Sequence, residues 1–170
     1  MKNAILRCLS ASLLASGFVA GSSVHAATTN GTIPVSASVA TNCSLVTTPI
    51  AFGAYDPLSA TPLDATGTLE LTCTTGAVPQ VALDAGQNAS GTQRRMTDGA
   101  NFLSYDLFQP VDNTAAAVCA YTTPYDATGF TLTAAPSAAA RTFNVCGQLP
   151  AGQSVPAGLY SDVVAVTVTF

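Results

Sequence analysis

Apolar and polar residues alternate along this chain with a period of two, the repeat of a β-strand with one face on a core. Ile33, Val35, Ala37 and Val39 alternate with Pro34, Ser36, Ser38 and Ala40, which predicts a strand with those four side chains on one face. Val164, Val166, Val168 and Phe170 alternate with Ala165, Thr167 and Thr169 and predict a second strand running to the last residue. Shorter strands are expected at 44–52, 67–74, 78–83, 102–108, 129–133 and 141–145. Turn-forming clusters such as Tyr55-Asp56-Pro57 and Pro156-Ala157-Gly158 separate them. No stretch sustains an apolar helical face with caps, and no linker or repeat divides the chain. The expected fold is all-β: a single β-sandwich.

The first 26 residues break this pattern. Lys2 and Arg7 precede an apolar run through Leu13, Leu14, Phe18 and Val19, which ends at Val24-His25-Ala26. A positive start, a short apolar middle and a small-residue exit predict a cleaved secretory signal over 1–26, with the mature chain starting at Ala27. Serines and a glycine interrupt the run, which falls short of the roughly 20 residues needed to span a bilayer. No transmembrane segment is expected in the mature chain.

Loss of that segment changes the available chemistry. It removes Lys2, the only lysine, and His25, the only histidine, leaving Arg94, Arg95 and Arg141 against nine acids, a formal charge of 3 − 9 = −6. Without His or Lys, a Ser-His-Asp or Cys-His constellation, a His-containing zinc site, a Schiff base and a lysine isopeptide crosslink are all excluded. Three arginines cannot neutralise a phosphate backbone, so no nucleic-acid partner is expected. The acids are scattered singly, and no catalytic, cofactor-binding or metal-binding residues are assigned. The expectation is a protein that is not an enzyme and uses no cofactor.

Cys43, Cys73, Cys119 and Cys146 remain after cleavage. An even number in an exported chain predicts disulfides, and none of the spacings is the close C-x(2–4)-C of a zinc knuckle. Of three possible pairings, Cys43 with Cys73 and Cys119 with Cys146 is favoured, because it closes two moderate loops. Each would contribute about 3–4 kcal/mol in the chain-entropy view.

The two terminal alternating stretches suggest assembly. A final strand lacking a neighbour would expose unpaired N–H and C=O groups above an apolar groove. A strand supplied by another molecule would satisfy both, and a subunit carrying both strand and groove polymerises head to tail without closing.

The order and spacing of several short motifs resemble the spore coat protein U domain family, which includes pilin subunits of archaic chaperone-usher pili. They are Gly31-x-Ile33-x-Val35-x-Ala37-x-Val39-x-x-x-Cys43, Phe52-Gly53-x-Tyr55, Leu71-x-Cys73-x-x-Gly76, Arg95-Met96, Leu103-x-Tyr105-x-Leu107, and Ala157-Gly158-x-Tyr160-x-Asp162 followed by the final alternation. The resemblance implies an incomplete immunoglobulin-like β-sandwich completed by donor-strand complementation. It also implies a donor segment at 27–40 carrying Ile33, Val35, Ala37 and Val39, and a sandwich domain over 41–170 whose acceptor edge holds Val164, Val166, Val168 and Phe170. The Cys43–Cys73 bridge agrees with the first bridge expected in that family. The implied partners are identical or related pilin subunits, a periplasmic chaperone and an outer-membrane usher. The implied destination is a fimbrium on the cell surface, serving attachment and biofilm.

Other readings stay open at this stage. A coat or matrix protein of the same family would use the same fold. A carbohydrate-binding sandwich lacks the preferred Trp platform. An outer-membrane barrel needs at least eight strands of about ten residues with aromatic girdles. A type IV pilin needs a long apolar first helix, which Ala27-Thr28-Thr29-Asn30-Gly31 cannot begin.

Overall fold

The computed structural model describes residues 25–170; the expected signal segment lies almost wholly outside them. The chain divides into a unit ending at Ala37 and a compact unit of Ser38–Phe170. The described part of the first, 25–37, has no regular secondary structure and is exposed throughout.

Nine strands and no helix form among the described residues: β1 Cys43–Thr48, β2 Leu63–Cys73, β3 Gln80–Leu83, β4 Arg94–Thr97, β5 Phe102–Pro110, β6 Cys119–Pro124, β7 Phe130–Thr131, β8 Arg141–Leu149 and β9 Val166–Thr169. One sheet has the order β1-β2-β8-β5-β4, with β6 also paired to β5; the other has the order β7-β3-β9. All pairings are antiparallel. Alternation places Leu69 and Leu71 of β2, Leu103, Tyr105 and Leu107 of β5, and Phe143, Val145 and Leu149 of β8 in the interior. They meet Val81 and Leu83 of the small sheet, with Tyr125 and Leu132 from the loops, in one core. This is a two-layer β-sandwich.

Several expected elements differ. No strand forms at Ile33–Val39: residues 25–42 pair with nothing in a ladder, so the alternation has no partner on which to act. The first strand stops at Thr48, not Phe52, because Pro49 has no N–H to continue the ladder. Two strands, β4 and β6, form where no alternation predicts them. The sequence Arg94-Arg95-Met96-Thr97 reads as polar, yet Arg94 is buried. Its guanidinium donates to the carbonyls of Asp84 (2.9 and 2.6 Å), Leu83 (3.2 Å) and Tyr125 (2.7 Å), tying β4 of the large sheet to the end of β3. Burial lowers its pKa, and the carbonyl collar is what makes the buried cation tolerable.

Beyond β1 the chain crosses the inner face of the large sheet through Ile50 and Phe52. Two glycines make room for this crossing. A Cβ on Gly67 would stand 2.6 Å from Ile50 Cγ1, and one on Gly147 would stand 2.8 Å from both Ile50 Cγ2 and Phe52 Cζ. Both disulfides form: Cys43 with Cys73, directly opposite each other at the end of the β1–β2 ladder, and Cys119 with Cys146, which fastens β6 to β8.

Candidate functional site: a groove between two unpaired edges

Among the described residues β1 pairs only with β2, and β9 pairs only with β3, so each borders its sheet. Between them the sandwich is open. A groove of about 460 Å³ is flanked by Thr47, Thr48 and Pro49 on one side and by Val163, Val164 and Val166 on the other. Its floor is the core itself: Leu69, Leu83, Tyr105, Leu107 and Val145, with Ile50, Phe52 and Met96 at one end. The edges carry strand backbone without a ladder partner, and the floor is apolar surface that water would otherwise cover. Both deficits call for one more β-strand.

A second basin of about 600 Å³ adjoins the first, and Ile50, Phe52 and Met96 line both. Its outer walls are the Gly53-Ala54-Tyr55 turn and the stretch from Val155 to Tyr160. Polar contacts hold these walls in place. The Tyr55 hydroxyl donates to the Pro150 carbonyl (2.9 Å) and accepts from the Gln153 N–H (2.8 Å). The Gln153 side chain in turn accepts from the Ser104 N–H and donates to the Ser104 carbonyl, both at 2.8 Å, imitating a neighbouring strand for β5.

One partly buried polar pair touches the groove. Tyr105 donates its hydroxyl to Asp162 Oδ2 at 2.7 Å, while Asp162 Oδ1 accepts from the Asn88 N–H (3.1 Å) and side-chain amide (2.9 Å). Burial first, and then the carboxylate, push the Tyr105 pKa far above its usual 10, so the phenol remains a neutral donor. The pair pins β5 to the segment leading into β9. Among the described residues no three His, Cys, Asp or Glu side chains converge as a metal site.

The structure distributes the sequence-predicted residues unevenly. Val164 and Val166 line the groove. Val168 packs on the core farther along β9, and Phe170 lies past its end, half exposed. Ile33, Val35 and Val39 are 89%, 91% and 85% exposed, and Ala37 is exposed with them. Sequence reasoning missed the β1 flank of the groove, Met96 and the Tyr105–Asp162 pair. The signal for the flank was Pro49, which ends an edge strand.

Known proteins resemble this chain in sequence and in fold. A family model described as the Spore Coat Protein U domain matches residues 29–167. Protein U of Myxococcus xanthus is 32% identical over 185 residues, which cover 99% of this chain and 99% of that protein. Among solved structures, the fold resembles a chain in the crystal structure of the CsuC-CsuE chaperone-tip adhesion subunit pre-assembly complex from archaic chaperone-usher Csu pili of Acinetobacter baumannii. The TM-score is 0.55 at 22% identity, over 78% of this chain and 40% of that one, so this chain spans well under half the length of its structural neighbour. Family model and full-length relative agree: the chain belongs to the spore coat protein U domain family.

Proposed function

We propose that this protein is a structural subunit of an archaic chaperone-usher pilus, polymerising head to tail by donor-strand exchange. The observation that carries the reading is the apolar groove between the unpaired edges of β1 and β9, in a chain that also holds an exposed alternating segment. Ile33, Val35, Ala37 and Val39 of one copy enter the groove of the next. Their backbone completes the ladders and their side chains cover the floor. Because each copy carries both a donor and a groove, the contact is head to tail, repeats without closing and builds a fibre. Before assembly the groove needs a temporary occupant, which is the role of a periplasmic chaperone, and an outer-membrane usher then passes the subunit to the cell surface. Residues 1–26 serve export and are removed, 27–40 form the donor segment and 41–170 the receiving domain. The product is an extracellular fimbrium without catalytic activity that supports attachment and biofilm.

The family description and the likeness to Protein U favour a second reading, a secreted coat or matrix subunit built by the same strand exchange. Val35→Asp and Val166→Asp, each made in the full chain, test the shared step, since each places a charge in the groove at a cost of several kcal/mol. Wild type should migrate as an unboiled ladder or fibre and both variants as monomer or chaperone complex. A durable, protease-resistant wild-type monomer would sink the reading. Surface filaments in electron micrographs of producing cells favour the pilus over the coat.

A further inference from the structure

We infer that Ala37 sets the register of the docked strand, by passing over a ridge between the two basins. The inference rests on the strand-exchange reading above and specifies which donor residue meets which part of the receiving subunit.

The ridge is formed by Ile50, Phe52 and Met96, the three side chains common to both basins. It cannot sink. Ile50 and Phe52 already rest against the backbone at Gly67 and Gly147, where even a Cβ would lie within 2.6–2.8 Å of them. Under Ile50 and Phe52 the height of the ridge is therefore fixed by two ladder-bound strands, and Met96 of β4 adds the part that a smaller residue would lower.

A donor strand running along the groove presents a side chain to the floor about every 6.6 Å, two residues at a time. Three of the four candidates, Ile33, Val35 and Val39, are branched, and one, Ala37, is a single methyl. A branched side chain over the ridge would overlap Phe52 or Met96. Ala37 clears it and leaves Val39 in one basin with Val35 and Ile33 in the other. A shift by two residues is penalised twice, since it sets a branched side chain on the ridge and leaves a methyl over open floor. One small residue among three large ones thus selects a single register.

The test is assembly of the full chain carrying Ala37→Leu, Ala37→Gly, or Ala37→Leu together with Met96→Ala. Ala37→Leu should slow ladder formation at least about tenfold. Ala37→Gly should assemble at close to the wild-type rate, and Met96→Ala should restore most of what Ala37→Leu loses. Should Met96→Ala itself impair folding, mixing an Ala37→Cys copy with a Met96→Cys copy reads the same contact, as an intersubunit disulfide. Ladder formation by Ala37→Leu at the wild-type rate, or crosslinking of Met96→Cys to Val35→Cys in preference to Ala37→Cys, would overturn the register while leaving strand exchange intact. Failure of wild type to assemble at all would instead remove the reading beneath it.

Discussion

The Tyr105 hydroxyl donates to Asp162 Oδ2 at 2.7 Å, joining the middle of β5 to the segment that leads into β9. A hydrogen bond to a charged acceptor in a partly buried site contributes about 1.5–3 kcal/mol. Tyr105→Phe keeps the ring and removes only this bond. It should lower the urea unfolding free energy by about that amount with an unchanged m-value. An unaltered midpoint would show that Asn88 alone suffices to hold Asp162.

Gly147 supports the crossing segment from below. Gly147→Val forces Ile50 and Phe52 upward against the core, because the added Cβ begins 2.8 Å from both. Overpacking of this kind costs about 1–3 kcal/mol. A thermal melt should show it, and the ridge between the basins should rise, so assembly should slow beyond what the stability change explains.

Acid should act on the turns before it acts on the core. The Asp98 carboxylate accepts from the Asn101 and Ala100 N–H groups and from the Asn101 side chain, which brings its pKa from the usual 3.8 down to about 2. A depressed folded value means the contribution is fully present above the unfolded pKa and disappears as pH falls through the folded one. The Thr114 and Thr128 hydroxyls and N–H groups depress Asp112 and Asp126 in the same direction. Stability should therefore be flat above about pH 5 and decline between about pH 4 and pH 2. Asp98→Asn should make that decline shallower when melting temperature is followed against pH.

Both bridges should be present in the exported protein. Thiol titration of the chain starting at Ala27, denatured without reductant, should find no free thiols; four free thiols would contradict the fold's covalent frame. Cys119→Ala with Cys146→Ala should cost about 2–5 kcal/mol and loosen β6, whose register with β5 is already irregular.

The sequence makes the β-class legible wherever one strand face is fully buried, as at Leu69-x-Leu71-x-Cys73 and Leu103-x-Tyr105-x-Leu107. It hides β4, because Arg94 is buried by carbonyls contributed from β3 and from Tyr125, which are distant in the chain and leave no local trace. Half of the groove was readable. Val164 and Val166 announce an apolar edge, but its opposite flank depends on which strands are left at the sheet borders. In the order β1-β2-β8-β5-β4, the joins β2-β8 and β8-β5 bring together strands far apart in sequence. The exposure of Ile33, Val35 and Val39 reverses the usual meaning of alternation. The pattern that indicates a buried face here marks side chains without a partner in the ladder of their own chain.

The position of Cys43 bears on mechanics. An edge strand pulled at its end separates like a zipper, one hydrogen bond at a time, and residues before Cys43 would pull on β1 at such an end. Cys43 is covalently tied to Cys73, its direct opposite in the ladder, and Thr74 also grips the Asn42 carbonyl through its N–H at 2.8 Å. Tension arriving from the leading segment therefore passes at once into β2, a strand held on both sides by β1 and β8. The six residues of β1 then hang beside the line of force, and the free border of the groove keeps its shape while the chain is stretched.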